Sequence, residues 1–528
     1  MSQAGLARPP AFVPPRNAVP AIESSLRAQV ETLASPAFGG RRPGTEGETR
    51  TLRYLAKQWF DMGMESGTNL PASPWFAPVE LVTREPVLSR ALFVRGHHRL
   101  VGDGKGVLVL TTGIRNLVEN APVVVVGRGE MPSRTDLAGR IAIVFDSMIE
   151  AKAREKDKGR AGDRAKPVVA SAPDAAGRLL DAGAMAVITV LDGSRRLDDV
   201  AANRLKAGNS LPGEHLENEI EAFVTPEFAD RLLGGSAAQP GAALDALRKE
   251  AGQPDFVPRP IGVTATLEAT SKETRIRTHN LIGRIPGRNP QAGAVLLVAH
   301  WDHFGACRPD GTICPGAVDN ASGLAVITEA ARQILHPAGR GDGPGSQLDR
   351  DVYVLATTGE EMGLLGALAF AENPPLPLDR IVAAFNVDST GLVPAGGPVA
   401  IVGKGLTPLD GDVEKVVSQM RRRMADGAAV DAAAGAYVRR QDSWVFLQHD
   451  VPAIMVSTSY GDPARLQAFM GSAYHTPADT PDAVNYAGMA DDVAITTELV
   501  RHFADTRAYP GSATTRSLPA QTNTLRTP

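Results

Sequence analysis

The stretch "AVLLVAHWDHFGACRPDGTICPGAVDNASGLAVITEAARQIL", Ala294 to Leu335, changes character twice. It begins as an unbroken apolar run of strand length, the pattern of a strand buried on both faces. The run stops on His300, Asp302 and His303, and a polar loop with two cysteines and Asp319-Asn320 follows. From Ala321 onward apolar residues recur at helical spacing. The succession strand, loop, helix returns downstream in "DVYVLATT" and "GLLGALAFAEN", in "IVAAFNVD", and in a last helix from about Ala487 to Ala504. Near-continuous apolar strands alternating with helices predict an α/β fold, a mixed, mostly parallel sheet covered by helices on both faces.

Upstream the texture differs. Residues 1–20 and 508–528 are rich in Pro, Ser and Thr without a period and read as flexible ends. Ile22–Leu33 and Leu52–Met62 have helical spacing, with "GGRRPGTEGE" as a turn-rich connector between them. From Val107 to Pro258 short β-rich runs appear, "GVLVLTT", "PVVVVG", "RIAIVFD" and "AMAVITVLD", with a helix over Ala175–Ala182 and the solvated charge run "AKAREKDKGRAGDRAK" among them. The expected organisation is a first part of the main domain at 21–80, a β-rich insert at 81–260, and the rest of the main domain at 261–507. Residues 336–350 and 426–440, rich in Gly, Ala and Pro, read as loops near a cleft.

Composition narrows the function. The 528 residues carry 55 basic and 59 acidic side chains, so no global field recruits nucleic acid. No apolar run reaches the roughly 18 residues of a membrane span, and none at the amino terminus forms the apolar stretch of a secretory signal. The only cysteines, Cys307 and Cys314, leave two states open: a disulfide closing a small loop, which needs an oxidising compartment, or two free thiols.

Functional residues of such a sheet gather at the carboxyl ends of its strands. There "AVLLVAH" ends on His300, "DVYVLATTGEE" on Glu360 and Glu361, and "IVAAFNVD" on Asp388. "GAVDNASG" sets Asp319 just before a helix, and "SAYHTPADT" sets His475 in a loop before the last one. Each residue alone has an ordinary reading: Asp319 as a helix cap, the glutamates as solvated, His475 as a turn residue. Together they form a mixed nitrogen and oxygen donor set suited to zinc, and crowded carboxylates repel one another unless cations neutralise them.

"FGGRRPGTEGE", "HWDHFG", "GAVDNASG", "TTGEEMGLLGA", "FNVDSTG" and "YHTPADT" occur in an order that resembles the co-catalytic di-zinc exopeptidases. These include bacterial leucyl aminopeptidases and, more distantly, glutamate carboxypeptidase and the transferrin receptor ectodomain. The resemblance covers about 20–80 and 275–505. It implies two zinc ions, one held by His300 and Asp388, the other by Glu361 and His475, with Asp319 bridging them and the Asp319-Asn320 peptide cis. Asp302 would accept the other N–H of His300 and fix its tautomer. Glu360 would be the general base and Tyr474 would stabilise the oxyanion. Arg440 keeps its place for substrate binding, but Gln441 stands where the family usually has serine. His303 receives no catalytic role and reads as structural or rim. "DLAGRIAIVFD" and "AAGRLLDAGAMAVITV" resemble a protease-associated domain within the insert.

The resemblance implies a peptide substrate and an aminopeptidase, with a carboxypeptidase of the glutamate carboxypeptidase type as the alternative. A glutaminyl cyclase fits less well, because that branch uses one zinc and a reduced ligand set. From a different class comes a non-catalytic binding protein on the same fold. The family and the cysteine pair favour a periplasmic or secreted location, with the cytoplasm as the alternative.

Overall fold

The computed structural model describes residues 19–128, 132–146, 175–192, 196–198, 200–201, 209–212, 219–308, 310–337 and 348–511. The charge run at 151–166, most of the flexible ends and the centre of the 336–350 stretch lie outside the described residues. The chain divides into two compact units, one comprising residues up to Leu81 and from Ile276, the other Val82–Arg275.

In the first unit Ala294–His300 lies between two parallel neighbours, Asp351–Thr357 and Ile381–Asn386. The latter pairs in parallel with Ala453–Ser457, which is antiparallel to Ala400–Val402. On the other side Leu281–Ile285, the end of the long strand Arg259–Ile285, runs antiparallel to Asp351–Thr357. The sheet is therefore mixed, with a parallel centre.

The continuous apolar character of Ala294–His300 has a direct cause. Val295, Leu297 and Ala299 pack into one core with Leu26, Trp59, Leu324 and Val500, from the helices Val19–Leu33, Glu46–Asp61, Gly323–Leu335 and Tyr486–Ala504. Ala294, Leu296 and Val298 face the opposite core, with Ala367, Phe446 and Leu466. A strand with successive side chains on opposite faces, both covered, admits no polar alternation.

Two local expectations change. The second helix begins at Glu46, inside the segment read as connector. Thr45 enters it with an extended backbone, Glu46 and Glu48 sit in the first turn where the helix dipole favours negative charge, and Gly47 packs so closely that a Cβ would stand 2.2 Å from Phe38 O. Ala428–Tyr437, within the segment expected as a loop, is a helix. Its alanines have the strongest intrinsic helix preference, enough to outweigh the single Gly435.

In the second unit Arg115–Val125, Ile141–Phe145, Ala186–Val190 and Ile220–Val224 pair in succession, all parallel. Val107–Thr111 is antiparallel to Ile220–Val224, and the first part of Arg259–Ile285 is antiparallel to Arg115–Val125. The expected helix appears as Ala175–Asp181. Among the described residues no helix is long and apolar enough to cross a membrane.

Candidate metal centre and active site

Register brings the functional strand ends together. His300 stands beside Thr357, and Val298 beside Asn386, so three segments leave the first unit's sheet at one edge. His300 Nε2 lies 3.2 Å from Asp319 Oδ1 and 3.5 Å from Asp388 Oδ1. The other Asp319 oxygen, Oδ2, lies 3.2 Å from His475 Nε2, which is itself 3.1 Å from Glu361 Oε2. Asp319 thus presents one oxygen to each of two imidazoles. Its peptide to Asn320 is cis.

Asp319 does not cap the following helix. The N-cap position is Ser322, and it is Asn320 whose Oδ1 accepts from the first helical amide, Gly323 N, at 2.9 Å while its Nδ2 donates to Val387 O. The Asp319 carboxylate is left to the site.

Asp302 differs in detail from its expected part. The closest acceptor to His300 Nδ1 is the Asp302 carbonyl oxygen at 3.1 Å, the carboxylate being 3.8 Å away. The carboxylate instead accepts from Glu360 N at 3.1 Å, because the chain turns after the strand and directs it towards that loop. His303 is not at the rim: it is buried, and its Nδ1 lies 2.7 Å from Glu361 Oε1. His303, Asp319 and Glu361 form one group able to hold a metal ion, and His300, Asp319 and Asp388 form another.

Tyr474 stacks on His475 with ring centroids 3.6 Å apart, and Phe304 meets the same imidazole edge-on at 4.4 Å. Beside Asp388 opens a pocket lined by Ser389, Arg440, Gln441, Tyr460 and Tyr474. The Arg440 guanidinium lies over the Tyr437 ring at 5.7 Å. Cys307 and Cys314 are joined in a disulfide whose Cα atoms are 5.6 Å apart, closing the loop between the strand and Asp319.

Electrostatics separate the two adjacent glutamates. Burial, then the charges of Asp388 and Glu361, holds the Glu360 carboxyl well above the usual range against the pull of His300. For Glu361 burial also raises, but the hydrogen bond with His303 and the close contact with His475 outweigh it and the net direction is down. Burial raises Asp319 as well, and the close imidazoles of His300 and His475 overturn it, leaving the carboxyl well below its ordinary value. Burial lowers His475, yet contacts with Asp319 and Glu361 bring it up to about 9. Burial lifts Asp302 to about 7 and the Tyr474 hydroxyl well above its usual value.

The donor atoms fit a metal. His300 Nε2 and His475 Nε2 are buried without a hydrogen bond although carboxylate oxygens stand 3.1–3.5 Å away. A bare imidazole lone pair facing a carboxylate is repulsive, and a cation between them removes the conflict. Imidazole nitrogen with carboxylate oxygen is a zinc-type donor set.

His303, read from the sequence as structural or rim, and two residues passed over there belong to this centre. His303 carries part of it directly. Asp479 accepts the backbone N–H groups of Val318 and Asp319 at 2.8 and 3.0 Å. Arg41, fully buried, directs its guanidinium at backbone carbonyls around the site. Arg41 and Asp479 lie inside "FGGRRPGTEGE" and "YHTPADT", which carried the resemblance, but neither stands at a strand end.

These features define an α/β domain with a histidine and carboxylate centre at the carboxyl edge of its sheet, the fold of an aminopeptidase from Aneurinibacillus sp. strain AM-1. That structure aligns with a TM-score of 0.54 at 19% identity, over 91% of this chain and 93% of its own. Residues 280–500 match the family model described as Peptidase family M28. Among curated relatives, a probable leucine aminopeptidase 1 of Trichophyton verrucosum is 26% identical over 234 residues, 43% of this chain and 58% of the relative. A probable leucine aminopeptidase of Arthroderma otae is 33% identical over 127 residues, 24% of this chain and 32% of the relative. The chain thus spans less than two thirds of the length of these relatives.

Proposed function

We propose that the protein is a zinc-dependent aminopeptidase acting on peptides with a free amino terminus. The observation that carries this reading is the position of Asp319, one oxygen facing His300 and the other facing His475. A carboxylate so placed suits a bridge between two ions, the first held by His300 and Asp388, the second by Glu361 and His475. Two such zinc ions would supply an acidified water and a polarised scissile carbonyl. His303, bonded to Glu361, orients that carboxylate or shares in holding the second ion.

The chain's own groups do the rest. Glu360, raised by burial and close to the group without the short imidazole contacts of Glu361, accepts the proton of the attacking water and passes it to the leaving amine. Tyr474, its hydroxyl held protonated, donates to the oxygen that gains charge. The free α-amine of the substrate binds against the carboxylates beside the pocket, and Arg440 and Gln441 line the wall that a substrate side chain meets. The disulfide supports a periplasmic or secreted location. For the second unit we adopt the protease-associated reading, supported by its matching segments at 136–146 and 175–190.

The test is metal analysis combined with hydrolysis of leucyl amide and acetyl-leucyl amide. Two zinc ions per chain and cleavage of the free-amine substrate alone are expected. Cleavage of an amino-blocked peptide with a free carboxylate would identify a carboxypeptidase. Full zinc loading without hydrolysis of any of these would make the chain a binding protein.

A further inference from the structure

Arg41, like Arg350 at another place in the fold, is a buried arginine whose donors go to backbone carbonyls. It is fully buried, and among the described residues no carboxylate lies within ion-pair distance of it. Its five N–H donors are spent on backbone carbonyls instead. Nε donates to Trp301 O at 3.0 Å, Nη1 to Leu33 O and Pro315 O at 3.0 and 2.7 Å, and Nη2 to Gly316 O and, at a longer 3.4 Å, to Asp319 O. A buried cation is expensive to desolvate, and an apolar side chain would fill the space at lower cost. What an apolar group could not do is hold three separate segments of backbone at fixed distances.

Two of those segments carry the centre, and the third is the end of the helix Val19–Leu33. Trp301 follows His300, and 315–319 leads into Asp319. Asp479 works on the same backbone from the opposite side, its carboxylate taking the N–H of Val318 and of Asp319. The amide and the carbonyl of Asp319 are therefore both held, the first by Asp479 and the second by Arg41. Asp479 is also four residues after His475, so the loop bearing that imidazole is referenced to the same point. Space between the two is closed: Gly316 has φ 61°, and a Cβ there would stand 2.3 Å from Asp319 O and 2.7 Å from the Arg41 guanidinium.

We propose that Arg41 and Asp479 are positioning residues that clamp the backbone of Asp319 and thereby set the spacing of the two imidazole–carboxylate groups on either side of it. This rests on the zinc reading above. Neither residue touches substrate, so the clamp acts through metal affinity and not through substrate recognition.

The experiment compares wild type, Arg41→Lys and Asp479→Asn as full chains. Lysine keeps the charge but cannot span five carbonyls, and asparagine replaces one acceptor oxygen with a donor facing the Asp319 N–H. Zinc affinity is read by competition with a chromophoric chelator, and melting temperature is measured for the zinc-free and zinc-loaded forms. The expected result is a 10–100-fold weaker hold on at least one ion in each variant, the scale of lost outer-shell partners. The stabilisation on adding zinc should shrink, and KM should stay within about twofold at saturating zinc. Wild-type zinc affinity in both variants, with zinc-free and zinc-loaded melting lowered equally, would overturn the clamp. If Arg41→Lys does not fold, Asp479→Asn decides alone. A wild type that binds no zinc defeats the proposed function, whereas zinc-binding variants indistinguishable from wild type defeat only the clamp.

Discussion

Replacing Glu360 with Gln tests the division of labour between two neighbouring residues. The substitution keeps size and leaves the backbone N–H that Asp302 accepts in place, so the loop geometry should persist. Glu360 lies at the edge of the donor set, its closest imidazole contact being 4.0 Å from His300, while Glu361 sits between His303 at 2.7 Å and His475 at 3.1 Å. Metal content should therefore remain near wild type in Glu360→Gln and fall in Glu361→Gln. A side-chain amide cannot take the proton of the attacking water, and loss of a general base lowers kcat by about 10²–10⁴, or about 3–5 kcal/mol of barrier. The assay is kcat and KM on leucyl amide, with zinc measured on the same gel-filtered samples. Residual activity of Glu360→Gln should also lose the acidic limb of the wild-type pH profile. Wild-type kcat in Glu360→Gln, or loss of zinc from it and not from Glu361→Gln, would refute the assignment.

Three further outcomes follow from particular contacts. Replacing Cys307 and Cys314 together with Ala opens an eight-residue loop; chain entropy puts the loss near 2.5 kcal/mol, and limited proteolysis should nick this loop before any other part of the first unit, with cleavage elsewhere first counting against it. Gly316→Ala meets both the left-handed φ of 61° and the Asp319 carbonyl; strain alone costs about 1–3 kcal/mol, and the soluble protein should hold less zinc, so unchanged zinc content would show that this backbone moves freely. Asp492 is lifted by burial to about 7 while its carboxylate accepts from Thr458. Between its unfolded value near 3.8 and 7 the folded chain binds more protons, so this residue's contribution falls as pH rises and the penalty is complete above 7. At about 1.4 kcal/mol per pH unit of separation, Asp492→Asn should match wild type near pH 4 in urea melts and gain at most about 4 kcal/mol at pH 8; no pH-dependent gain would rule out a buried charge there.

Much of the domain is readable in the chain because the information is local. The run Ala294–Ala299 is apolar on both faces, and that alone calls for a two-sided cover of helices. His300, Asp319, Glu360, Glu361, Asp388 and His475 stand at strand ends or in the loops before helices, where a parallel sheet collects its functional groups. The cysteine pair left two states open, and proximity of the two Cα atoms in the loop resolves them as a disulfide. The error over Ala428–Tyr437 was also local, since alanine counts for a helix as readily as for a small-residue loop.

Other features had no signature in the sequence. Arg41 binds carbonyl groups, which every residue possesses, so nothing in the composition of Leu33, Trp301, Pro315 or Gly316 announces the partner. The choice between carbonyl and carboxylate of Asp302 depends on how the chain turns after the strand. Whether His303 points to solvent or to Glu361, and whether Asp319 or Asn320 accepts from the first amide of the helix, depends on backbone angles set by contacts with segments far away in the chain. Residue types and their period determine which groups reach the sheet edge. Their final orientation is decided by packing among segments distant in sequence, because only there do donors and acceptors from separate parts of the chain compete for the same space.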